Sequence, residues 1–122
     1  MQTLDAMRQS DIPFIAANHH GVVESINNAF TIVYGWTMDD LADCLVTKIL
    51  PEAYRDSHHL GFSRFQSTNR SEVLGHPLRL QTLCKDGRSI ISEHLIVAEK
   101  SESGWVFGAT LTPLPDETVT DA

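Results

Sequence analysis

The side chains of this 122-residue chain that could do chemistry are six histidines, two cysteines and a small set of aromatics. His58 has the most informative setting. Pro51 fits the first position of a helix, and the segment that follows, EAYRDSHHLGFSRFQS, places Tyr54, His58, Gly61 and Phe65 on one stripe with Phe62 at its edge. Arg55, Asp56, His59 and Arg64 turn mostly away, so His58 is expected to face the interior and His59 the solvent. An imidazole on such a stripe either contacts a ligand in an apolar cavity or bonds a carbonyl within the core. Trp36, Phe62, Phe65, His94 and Trp105 are the other residues that could line a pocket for a small aromatic or carboxylate ligand, or else fill a plain core.

The remaining groups argue against catalysis. His19, His20, His59 and His76 fall in turns or on polar faces, and no two have the spacing of a zinc site. Cys44 and Cys84 stand forty residues apart, without the close spacing of a redox or zinc motif, and read as reduced packing residues. The acidic residues are scattered; no Ser-His-Asp set, paired carboxylates or glycine-rich phosphate loop can be assembled. The chain is not expected to be an enzyme.

Composition narrows the partners. A 42% apolar chain of this length suits one domain with one core. Nine basic against sixteen acidic residues give a net charge of −7 with no basic block, which disfavours nucleic acid and anionic membrane surfaces. No apolar run approaches the roughly 20 residues of a membrane span, and Asp5, Arg8 and Asp11 break any signal-like start, so a cytoplasmic location is expected.

The elements that must position these residues centre on Gly21 to Gly35, GVVESINNAFTIVYG. Val22, Val23 and Ile26 predict a strand, Asn27 and Asn28 a turn into a helix, and Ala29, Phe30, Val33 and Tyr34 its periodicity, with Gly35 as a left-handed stop. Before it, Leu4 and Met7 mark one face of a short helix within 1–10, and Ile12 to Ala17 predict a strand whose Pro13 suits an edge or an entry. After it, Thr37 to Asp40 has the form of a capping box, and Leu41 and Leu45 supply an apolar face. Leu78 to Cys84, Ile90 to Ala98 and Trp105 to Thr112 alternate as strands, the first two joined by a Lys85-Asp86-Gly87-Arg88 hairpin turn and the last two by Glu99 to Gly104. The middle strand is apolar on both faces. Leu95 and Val97, with Leu4 and Met7, are therefore expected to pair two copies of the chain.

This order of elements resembles the PAS domain. GVVESINNAFTIVYGWTMDDLADCLVTKILP is similar to the family's strand, Asn-x-Ala-Phe helix, Gly-aromatic, capped turn and proline, and LRLQTLCKDGRSIISEHLIVAEK to its hairpin with a Lys/Arg-Asp-Gly turn. Asp43-Cys44 stands where the family often has Ile-Gly. The resemblance implies an α+β fold with a five-stranded antiparallel sheet and short helices on one face, spanning 11–114 between an N-terminal cap at 1–10 and an acidic tail at 115–122. It implies a sensory module that binds a small ligand and signals through a homodimer to an output domain of kinase, cyclic-di-nucleotide enzyme or receptor type. A structural dimerisation module without ligand is the alternative within the same fold.

Two cofactors follow from branches of the family. RDSHHLGFSRF is similar to the haem-binding oxygen sensors, in which His58 would ligate iron ahead of Ser63, Arg64 and Phe65. Those sensors also place an arginine nine residues before the glycine of the strand turn, where this chain has Leu78, so haem is not expected. The blue-light branch attaches flavin within Asn-Cys-Arg, a context neither Cys44 nor Cys84 shares, which leaves a noncovalent flavin or an unknown small molecule.

Overall fold

The computed structural model describes residues 4–50, 78–102 and 104–114. The expected helix carrying His58, Phe62 and Phe65 lies outside the described residues, as do His59, His76 and the tail.

Chain order gives α1 (Leu4–Arg8), β1 (Phe14–Ala17), β2 (Val23–Ile26), α2 (Asn28–Tyr34), α3 (Met38–Leu41), a 3-10 turn (Val46–Ile49), β3 (Leu78–Leu83), β4 (Ser89–Ser101) and β5 (Gly104–Pro113). The strands form one antiparallel sheet in the order β2-β1-β5-β4-β3. This is the expected α+β architecture. β1 is not an edge strand: it pairs with β2 on one side and β5 on the other. Pro13 is tolerated because it precedes the ladder, where its carbonyl accepts from Leu111 N–H at 2.8 Å and no donor is required of it.

Local chemistry sets the boundaries. Asn27 caps α2 by accepting from Phe30 N–H, and Gly35 closes the helix at φ 85°. Thr37 and Asp40 form a reciprocal capping box, so an aspartate serves where glutamate is the commoner partner. The Lys85 ammonium, then the Thr37 N–H, hold the Asp40 carboxyl down at about 2. That Lys85–Asp40 ion pair ties α3 to the hairpin turn, and Lys85 N–H donates to Tyr34 O at 3.0 Å. Asp43 takes the left-handed conformation, φ 62°, which aspartate adopts more readily than most residues. Leu45 does not join the core; it is 43% exposed and its backbone bridges to Val22. The expected 99–104 connection is shorter than expected, since β4 and β5 stay paired to Ser101 and Gly104.

Each face of the sheet has its own cluster. Ile15, Val23, Phe30, Tyr34, Trp36, Leu41, Ile49, Leu50, Cys84 and Leu111 form the inner core, where α2, α3 and the 3-10 turn pack. Leu4 and Met7 from α1 cover the outer face with Phe14 and Ala16, and Val97 and Val106 pack alongside.

Candidate functional site

Over 80–83 and 90–98 the inner face of β3 and β4 is apolar by alternation except at three positions, Thr82, Ser92 and His94, all buried. Residues two apart on a strand share a face, and the pairings Leu80↔Ser92, Thr82↔Ile90 and His94↔Leu111 put all three on the core side. Burying such groups unpaired costs roughly 1–3 kcal/mol each by mutational scales. They are paired. The Tyr34 hydroxyl, brought from the last turn of α2, lies 2.6 Å from Ser92 Oγ, and Thr82 Oγ1 lies 2.9 Å from His94 Nε2.

Burial sets the protonation of the Tyr34 end of this row. Burial pushes the Tyr34 phenol up to about 12, more strongly than its bond to Ser92 lowers it, so the hydroxyl stays protonated at neutral pH. The Cys84 thiol is also pushed up, by burial and then by the Asp86 charge, and acts as a small apolar side chain. The row thus sets hydroxyls and one imidazole within an otherwise apolar wall and supplies no activated nucleophile.

Of the residues singled out from sequence, His94 sits in this row. Trp36 belongs to the inner core, 7% exposed, with its indole N–H donated to Leu83 O at 2.8 Å, so it anchors the start of the hairpin. Lys48 Nζ stands 5.5 Å from the centre of its ring. Trp105 is half-buried beneath Lys100. His58, Phe62 and Phe65 fall outside the described residues. Tyr34, Ser92 and Thr82 were missed. Their signal was a hydroxyl at an inward position of an alternating apolar strand, and a tyrosine four residues after Phe30 on the apolar side of α2.

The residues expected to pair two copies are placed differently from one another. Leu4 and Met7 are 5% and 2% exposed, buried within their own chain by docking on the sheet. α1 seats over Gly108, where any Cβ would overlap Leu4 Cδ2 and approach Phe14 within 3.0 Å. Leu4 N–H donates to Glu99 Oε2 at 2.8 Å, satisfying one free donor of the helix start. Val97 packs beside α1, whereas Leu95 lines a cleft of about 220 Å³ together with Ala6, Met7, Ile12 and Glu93. Among the described residues no three histidine, cysteine, aspartate or glutamate side chains group as metal ligands, and no helix is long and apolar enough to cross a membrane.

No family model and no curated protein matches the chain. Solved structures do. A PAS domain from Desulfitobacterium hafniense is similar at a TM-score of 0.71 and 16% identity, over 90% of this chain and 99% of that one. A PAS domain from Colwellia psychrerythraea is similar at 0.71 and 13%, over 90% and 92%. A PAS domain from a two-component sensor histidine kinase is similar at 0.69 and 8%, over 91% and 92%. Together with the strand order, the capped α2 and the hairpin after β3, these likenesses identify the chain as having the PAS fold.

Proposed function

We propose that the chain is a non-catalytic sensory domain that takes a small polar ligand against the inner face of β3 and β4 and relays the change to an output domain; its likeness to a PAS domain from a two-component sensor histidine kinase supports the sensory part. The observation that carries this reading is the buried row of Tyr34, Ser92, Thr82 and His94 in an apolar wall. Polar groups that served packing alone would be replaced by apolar ones at little cost. In this reading Cys44 and Cys84 have no chemical role, and haem at His58 is not required.

Thermal shift of the full chain against a panel of small carboxylates, amines and purines tests it. At least one compound is expected to raise the melting temperature of the wild type and not that of Thr82→Val or His94→Leu. Stabilisation that survives in both variants, or none from any compound, sinks the sensory reading in favour of an interaction module whose interior is filled by its own side chains. That second reading is favoured by one observation: the four polar groups already satisfy one another in pairs.

The proposed relay acts through a homodimer. Since Leu4 and Met7 are taken up within one chain, its contact is expected around Leu95 and the cleft beside α1. Sedimentation checks this: Leu95→Glu should shift a dimer at tens of micromolar to monomer, and an unchanged profile removes the contact from that face.

A further inference from the structure

The Asn27 side chain joins three segments that no other described side chain brings together. Its Oδ1 accepts from Phe14 N–H on β1 and from Phe30 N–H in the first turn of α2, both at 3.0 Å. Its Nδ2 points the other way, to the carbonyls of Ile12 at 2.8 Å and of Arg8 and Ser10 at 3.3 Å each. An amide has two protons, so three carbonyls share two donors, and the chain from the end of α1 to the start of β1 is gathered around one planar group. Inner and outer faces thus meet at one residue. The acceptor end holds α2, whose last residue reaches Ser92 in the inner row. The donor end holds the segment that follows α1, which covers the outer face.

From this geometry we infer that Asn27 is a positioning residue that couples the inner polar row to the docking of α1: a change at the Tyr34–Ser92 bond that shifts α2 loosens the Arg8–Ile12 segment through the rigid Asn27 amide. The coupling deepens the sensory reading above and rests on it for its biological meaning. The physical cause is the planarity of the amide. α2 cannot move relative to β1 without turning Oδ1, and turning Oδ1 turns Nδ2 away from its carbonyls.

The substitution Asn27→Asp separates the two ends. The carboxylate keeps the acceptor for Phe14 and Phe30, so the helix cap survives, but it sets an acceptor against three carbonyls. Trypsin cleavage after Arg8 reports release of α1, because cleavage follows the population of the opened segment. In the full chain without ligand, Asn27→Asp is expected to speed release of the 1–8 peptide roughly tenfold, about the effect of losing one or two hydrogen bonds. Tyr34→Phe and Ser92→Ala, which remove the inner bond and leave Asn27 intact, are expected to speed it roughly threefold. Combining either with Asn27→Asp should add nothing further. Wild-type cleavage in both inner variants, multiplying effects in the combinations, or a parallel rise in cleavage after Lys100 that marks global loosening would each overturn the coupling. Because no ligand is used, the coupling can fail while ligand binding stands, and the reverse.

Discussion

The two faces of the sheet bury apolar surface by different means. On the inner face, Phe30, Tyr34 and Leu41 arrive on elements held at several points: the Asn27 cap, the Thr37–Asp40 box, the Lys85–Asp40 pair and the Trp36–Leu83 bond. On the outer face, α1 is five residues long, far below the length at which a helix holds together alone, and it stays in place through Leu4 over Gly108, Met7, the Glu99 bond and the Asn27 gather. The lesson is that equal burial does not mean equal commitment. A side chain at 0% exposure on α2 and one at 5% on α1 differ less in area lost from water than in what else must come apart when they leave.

The sharpest way to break this comparison is to remove a large side chain from each face. Phe30→Ala should lower the free energy of unfolding by about 3 to 5 kcal/mol, because the surrounding core cannot collapse onto the space. Leu4→Ala should cost only about 1 to 2 kcal/mol, since α1 can detach locally before the sheet unfolds. Urea unfolding with hydrogen exchange checks both: the first should weaken protection throughout, the second mainly on the outer face. Equal global losses would mean that α1 is as integral as α2.

A smaller effect sharpens the comparison through pH. The folded pKa of Tyr34, about 12, lies above the ordinary value of 10, so the stability linked to the neutral phenol is fully present below pH 10 and is lost as pH rises toward 12. Two units correspond to about 2 to 3 kcal/mol. At pH 8, Tyr34→Phe should be the less stable protein by about 1 kcal/mol, for the lost bond to Ser92. Between pH 10 and 12 that order should reverse, as the wild type loses the linked term and the phenylalanine variant has none. Urea midpoints at pH 8 and 11.5 decide it, and a gap that does not change would mean that the hydroxyl reaches solvent.

What could be read from the sequence divides along the same line. The Asn27 cap on Phe30, Gly35, the Thr37–Asp40 box and the Asp86-Gly87 turn act on neighbours within a few residues, so residue type alone disclosed them, whereas the bonds of Asn27 to the 8–14 segment were not legible. The alternation of β3 to β5 disclosed two faces, but on β4, apolar on both, it did not say which one faces the core. The pairing within the inner row was not legible, because Tyr34 and Ser92 are 58 positions apart and a single serine in an alternating strand carries no sign of its partner. For α1 the apolar spacing was clear but its destination was not. Whether Leu4 and Met7 meet another copy or their own sheet turns on the hole left by Gly108, which lies more than a hundred positions away. Pro13 left two places open for a related reason: a proline at the entry to a strand and one within an edge strand look alike until the ladder shows that β1 is central and Pro13 its entry.

The central place of β1 also has a consequence in time. Its partner on one side, β2, follows within a few residues, but on the other side Ala17 pairs with Phe107, ninety positions later. At a synthesis rate of roughly 5 to 20 residues per second, the β1–β2 hairpin is exposed for on the order of 5 to 20 s with one row of backbone donors and acceptors unpaired. β1 is apolar throughout, FIAA, so the nascent chain carries an adhesive edge for that whole interval. The strand that retires it, β5, is the last of this sheet to be made.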